Sequence, residues 1–391
     1  MTFDSALVAF ADPTQLCLEI PEVVQIQASQ HSQAFSTPSR RWNAYLNQIC
    51  LGTFLPWLQE EHAPKATPSP SMTAQKSIWE VVNGTAVVWG TTRLVLIPTE
   101  EISMNELHVP QEWVDIPTWA ADYYLGVQVN TDEGWIRIVG YTTHEKLKTQ
   151  GRYDAGDRIY SLDEEALIPD LNVLWVTRQL CPNESTRVAI APLQTLPIER
   201  AENMLQRLGN TSVKTPRLAV PFQIWGALLE HSGWRQRLYE LRQGLQEQWS
   251  LVRWLSSGVS DLAQQVGWGR MELESGLAGG RGLEQMRSQL ILSRRLNIAG
   301  QPYELRIQPL GRPEDYRWRI ELRAGLGRQI PTGFKLRLLM EDLQPFANNE
   351  DTAVAPVDQL YIDVAFEQPG EGLVWEIEPS PENYEREILR F

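Results

Sequence analysis

The chain has 391 residues, 42% hydrophobic and 21% charged, with a formal net charge of −14. That length predicts two or three domains, and the apolar share argues against wholesale disorder. The acidic balance repels phosphate backbones and anionic lipid heads, so bulk nucleic-acid binding is not expected.

Cys17, Cys50 and Cys181 are widely spaced and odd in number, which is no disulfide framework. No CxxC pair occurs, so a zinc knuckle is excluded. The N-terminus carries Asp4 and no basic stretch, unlike a secretory leader. The longest strongly apolar run, 218–229, is too short to span a bilayer and contains Pro221 and Gly226. A cytoplasmic protein is expected.

In chain order, 15–20 reads as a short strand and Pro21 as the start of a helix over 22–35. A second helix begins after Ser39, with Trp42, Tyr45, Leu46, Ile49, Leu55 and Leu58 near helical spacing. Gly52 and Pro56 should weaken or kink its end. Residues 62–77 hold three prolines and no apolar period, and read as a loop or linker. From 78 the period changes to two: IWEVV, Asn83-Gly84, TAVVWG and TRLVLIP read as a meander. Pro110 opens a helical turn through Trp113. YYLGVQVN and GWIRIVGYT form a hairpin across Thr131–Gly134. A helical turn follows over His144 to Lys148, then a strand over Arg158–Leu162. Leu171–Leu180 leans to strand on its Val and Trp content. Residues 1–190 therefore read as an α+β domain, two helices on a mostly antiparallel sheet.

Residues 191–285 read as a helical connector with a Gly-rich end. Pro197 starts a helix that Gly209 stops, Pro221 starts another with Ile224 and Leu228 on one face, and Gly233 breaks it. The next places Trp234, Leu238, Leu241 and Leu245 on one stripe. Residues 252–266 are helical too, and 266–282, with six glycines, a loop.

Residues 286–391 read as an all-β antiparallel sandwich. In YRWRIELR, Trp318, Ile320 and Leu322 share one face, and Arg317 and Arg319 the other. FKLRLLM turns Lys335 and Arg337 outward. LYIDVAFE exposes Asp363 and Glu367, and LVWEIE exposes Glu376 and Glu378. Residues 290–340 carry ten Lys/Arg against four Asp/Glu, whereas 341–391 carry two against thirteen. If these ladders are neighbours in one sheet, opposite charges pair across strands. If they lie in different sheets, the sandwich has a basic and an acidic face that could orient a partner.

No phosphate loop, GxGxxG, GxSxG or HExxH occurs, and the five histidines have no partner at ligand spacing. No catalytic, cofactor-binding or metal-binding residue is assigned. Cys181 is the more exposed cysteine, and Glu376 and Glu378 share a strand face, so a spatially assembled hydrolase site is one alternative. The pair of helices at 221–244, with Arg235, Arg237 and Arg242, is a second alternative, as a transcription-associated DNA binder. Fifteen tryptophans are present. Trp225, Trp234, Trp249 and Trp254 crowd the helical region, as core or, if exposed, as a partner-binding surface.

The runs GFKLRLLMEDLQPFANNEDTA and VDQLYIDVAFEQPGEGLVWEIEPSPENYEREILRF resemble an uncharacterised cyanobacterial family, domain-of-unknown-function family 1822. RRWNAYLNQICLGTFLPWLQE, TRLVLIPTE and VPQEWVDIPTWAADYYLGVQVN resemble it as well. The resemblance spans nearly the whole chain, least in 197–285. It implies no activity and no functional residues. The expectation is a non-enzymatic interaction, regulatory or adaptor protein with a protein partner and no membrane. The candidate surface is the four tryptophans with Arg317, Arg319, Lys335, Arg337, Asp363, Glu367, Glu376 and Glu378.

Overall fold

Thr37 is extended and its hydroxyl accepts from the Arg40 N–H, while Pro38 supplies the fixed φ of a first helical turn. These caps explain where the longest helix begins. A computed structural model describes residues 14–101, 104–181, 184–273, 289–311, 316–325, 327–366 and 368–391. By packing, the chain forms two units. One comprises Met1–Leu196, Asn203–Glu230 and Leu241–Gln243, and the other Pro197–Glu202, His231–Glu240 and Gly244–Phe391.

The first unit begins with β1 (Cys17–Glu19), α1 (Glu22–Ser32) and α2 (Pro38–Glu61), which runs through Pro56. Then come β2 (Thr67–Pro68), α3 (Met72–Trp79), β3 (Thr85–Trp89), β4 (Thr92–Thr99), β5 (Glu106–Pro110) and α4 (Gln111–Asp115). These are followed by β6 (Tyr123–Asn130), β7 (Trp135–Thr143), α5 (His144–Gln150), β8 (Arg152–Asp154), β9 (Ile159–Asp163) and α6 (Leu171–Leu180). One sheet has the order β1-β7-β6-β4-β3-β2, and a smaller one the order β5-β9-β8. Pairing is antiparallel except between β4 and β6, because β5 and α4 form a crossover between them.

Two local expectations are corrected. Residues 72–79, divided in the sequence reading between a loop and a strand, form a helix. Gln75, Ile78, Trp79 and Val82 are all buried, at spacings of three, four and seven from Gln75. Asn83-Gly84 therefore links a helix to β3 instead of turning a hairpin. The hairpin lies one strand later, where Trp89 pairs with Thr92 around Gly90 at φ +55°. Leu171–Leu180 is likewise a helix. Asp170 caps it by accepting from the Asn172 N–H at 2.9 Å, a start signal that outweighs the β-propensity of its valines.

The helical middle supplies α7 (Ile198–Gly209), α8 (Phe222–Glu230), α9 (Ser232–Arg242), α10 (Leu251–Ser257) and α11 (Asp261–Gln265). A strand, β10 (Trp268–Leu273), lies where a loop was expected at 266–282. The glycine run 276–282 lies outside the described residues.

The second unit continues with β11 (Gln289–Ile298), β12 (Gln301–Pro309), β13 (Arg317–Ala324), β14 (Lys335–Met340) and β15 (Glu350–Thr352). It ends with β16 (Gln359–Ala365), β17 (Gly372–Glu378) and β18 (Ile388–Arg390). A five-stranded sheet, β10-β11-β12-β13-β16, and a four-stranded sheet, β15-β14-β17-β18, are antiparallel throughout. Trp318, Ile320 and Leu322 from one sheet and Leu336, Leu338, Trp375 and Ile377 from the other meet in a single core. The alternation read from the sequence thus sets which face of each strand is inside.

Candidate functional site: the outer face of the sandwich

The basic and acidic ladders are neighbours within each sheet. In the register Arg319 stands opposite Asp363, and its Nε and Nη2 donate to the two carboxylate oxygens at 2.7 and 2.8 Å. Those bonds hold the Asp363 carboxyl below its usual range. In the other sheet Lys335 stands opposite Glu378 and Arg337 opposite Glu376. Arg337 lies 3.1 Å from Glu350, 3.5 Å from Glu378 and 3.9 Å from Glu376, and Lys335 lies 3.7 Å from Glu350. Glu376 also accepts from Arg386 at 2.9 Å. Each exposed pair of this kind contributes about 0.2–1 kcal/mol. The charge reversal is therefore largely spent on holding strands together. Arg317 stands opposite Ala365 and, among the described residues, has no carboxylate within ion-pair reach. Glu367 lies outside the described residues.

The outer face of the five-stranded sheet holds an open groove of about 840 Å³, with Met271, Pro302 and Ala324 in its lining. Arg295, Arg306, Arg323 and Arg328 line it, against Glu304 and Asp358. Glu304 stands between Arg295 and Arg323 in the register, yet its Oε2 accepts from Arg306 Nε and Nη2 at 2.8 and 2.6 Å. Arg323 pairs with Glu321 on its own strand and donates to Gln359 at 2.8 Å. Arg295 and Arg328 are exposed and, among the described residues, have no carboxylate partner.

The four tryptophans are interior residues, so no exposed aromatic patch forms from them. Trp225 donates to Glu112 at 2.7 Å, Trp234 to Glu341 at 3.1 Å, Trp249 to Glu240 at 2.8 Å and Trp254 to the Gln248 carbonyl at 2.8 Å. Each indole thus fills core space and satisfies its N–H, three of them on buried carboxylates. The stripe of Trp234, Leu238 and Leu241 pointed to burial of that tryptophan, but the carboxylate partners of Trp225, Trp234 and Trp249 carried no signal in the sequence.

The arginines of α9 are tied down. Arg235 is buried against Glu385 at 3.3 Å, Arg237 lies 3.2 Å from Glu240, and Arg242 is buried against Glu80 at 2.8 Å. A single residue, His231, separates α8 from α9, fewer than the three or four residues of a helix-turn-helix turn.

The histidines hold structural bonds. Gln48 lies 2.7 Å from His31, and Ser161 lies 2.9 Å from His108. His62 stacks on Trp175 at 4.4 Å. His144 and His231 are buried, each bonded at 2.9 Å to a backbone carbonyl, of Val114 and Glu341. Burial pushes His231 down to about 4, so its ring is neutral. The Cys50 thiol is buried and pushed far above its usual range, while Cys181 is exposed at the end of α6. Among the described residues no three His, Cys, Asp or Glu side chains are grouped to hold a metal ion, and no helix is long and apolar enough to cross a membrane.

No curated protein sequence and no solved structure matches this chain. One family model, described as a protein of unknown function, DUF1822, matches residues 18–390. The match covers both ends of the sequence resemblance and the helical middle between them, and the chain belongs to the DUF1822 family.

Proposed function

We propose that the chain is a non-enzymatic interaction protein of the cytoplasm, regulatory or adaptor in role, that presents its C-terminal sandwich to a protein partner. One observation carries this reading. On a sheet face whose charges otherwise neutralise each other, Arg295, Arg317 and Arg328 are exposed and make no ion pair among the described residues. Unneutralised guanidiniums on a rigid sheet steer and orient an acidic partner at little ordering cost. Of the groups that could instead support hydrolysis, Glu376 and Glu378 are engaged by Arg337 and Arg386, while Cys181 is exposed at the end of α6.

The test is a quantitative capture from native lysate with the full chain as bait. It runs beside a full chain carrying Arg295→Glu, Arg317→Glu and Arg328→Glu. A protein enriched by the wild type and lost from the variant supports the reading. An empty capture by the wild type, with the fold intact by circular dichroism, removes it.

A further inference from the structure

We infer that the groove on the five-stranded sheet is a docking site for an acidic segment of the partner, an inference that rests on the interaction reading above. The groove holds four guanidiniums against two carboxylates, and the carboxylates are already used. Glu304 is directly opposite Arg295, where side chains stand about 4.5–5.5 Å apart at Cβ, but it turns along its own strand to Arg306. Asp358 accepts from Gln329 at 3.1 Å. Among the described residues Arg295 and Arg328 are therefore left lining the groove with no carboxylate partner, their donors open to an oxyanion.

The backbone on which each stands is hydrogen-bonded before any ligand arrives. Arg295 sits on β11, which is paired on one side with β10 and on the other with β12. Arg328 sits in a turn closed by its own N–H on the Gly325 carbonyl at 3.1 Å, with Gly327 at φ +74°. Ile330 and Val357 pin that turn to the next segment by reciprocal backbone bonds of 2.7 and 3.1 Å. The volume of about 840 Å³ is far more than one phosphate needs and suits several residues of an extended chain. Open access and the apolar side chains in the lining fit a polypeptide lying across strands, with its carboxylates on the arginines and its stems on Met271 and Pro302.

The full chain is titrated with a fluorescein-labelled peptide of alternating glutamate and glycine, with the glutamine counterpart and with inorganic phosphate as competitor. Binding of the glutamate peptide is expected, weakened about tenfold or more by Arg295→Ala with Arg328→Ala. Both positions are exposed, so the fold should be retained. Arg253→Ala, an exposed arginine of α10 that does not line the groove, leaves binding unchanged, and Asp358→Asn tightens it. Equal binding of the glutamine peptide, an unchanged affinity in the double variant, or displacement by phosphate at the peptide's own concentration overturns the inference. If the glutamate peptide fails while a lysate partner is still captured through this face, the docking assignment falls and the interaction reading stands. Peptide binding as described beside an empty lysate capture does the reverse.

Discussion

Glu240 shows how one buried side chain ties stability to pH. Trp249 donates to it at 2.8 Å, and Arg237 lies 3.2 Å away. Burial first, and then the charge of Glu247, push its carboxyl up to about 7. A glutamate in an unfolded chain titrates near 4.3, so between about 4.3 and 7 the folded state keeps a proton that the unfolded state has released. Its contribution to stability is complete below that window and is lost as pH rises through 7, a change on the order of 3 kcal/mol. Glu240→Gln keeps the neutral form at every pH. Its melting temperature relative to wild type should rise between pH 5 and pH 8, and a flat difference would show that Glu240 is already ionised at pH 5. A second residue-level test is Gly84, at φ +119° with the Trp113 indole nitrogen 2.5 Å from where a Cβ would stand. Gly84→Ala should cost about 1–3 kcal/mol in urea unfolding, because both the backbone strain and the tryptophan contact oppose it.

At the level of elements, buried ion pairs fasten helices to distant segments. Glu80, just past α3, accepts from Arg242 Nε at 2.8 Å and Gln243 at 3.0 Å, and it also bonds Ser36. Both members of the Arg242–Glu80 pair are fully enclosed. Arg242→Met strands the carboxylate and should cost about 3–5 kcal/mol by denaturant unfolding. Adding Glu80→Leu should recover most of that loss, and failure to recover would mean that the pair contributes more than its desolvation costs. The exposed ladder behaves differently: Arg337→Ala should cost no more than about 1 kcal/mol despite its three carboxylates. The strands of the sandwich were legible because alternation is a local signal. The helix at 171–180 was not, because a short apolar run fits both periods, and the helix at 72–79 was not, because its first residues show no apolar period and no side-chain cap marks its start.

For the whole molecule the relevant quantity is the net charge of −14. Self-repulsion at that charge should be relieved as the screening length shrinks from about 30 Å to about 8 Å between low and physiological salt. The buried pairs are screened little. The melting temperature is therefore expected to rise with salt over that range. A fall would show that surface ion pairs outweigh the self-repulsion.

By itself, the sequence determined the fold class, the inward and outward faces of the C-terminal strands and the family, because period and wording are carried by neighbouring residues. Only the tertiary structure decided which ladders face each other, that Trp225, Trp234, Trp249 and Trp254 lie inside, and that α9's arginines are bound. It alone gathered Arg295, Arg306, Arg323 and Arg328 around one groove. Those relations join residues far apart in the chain, and strand order and register, which no local pattern encodes, set them.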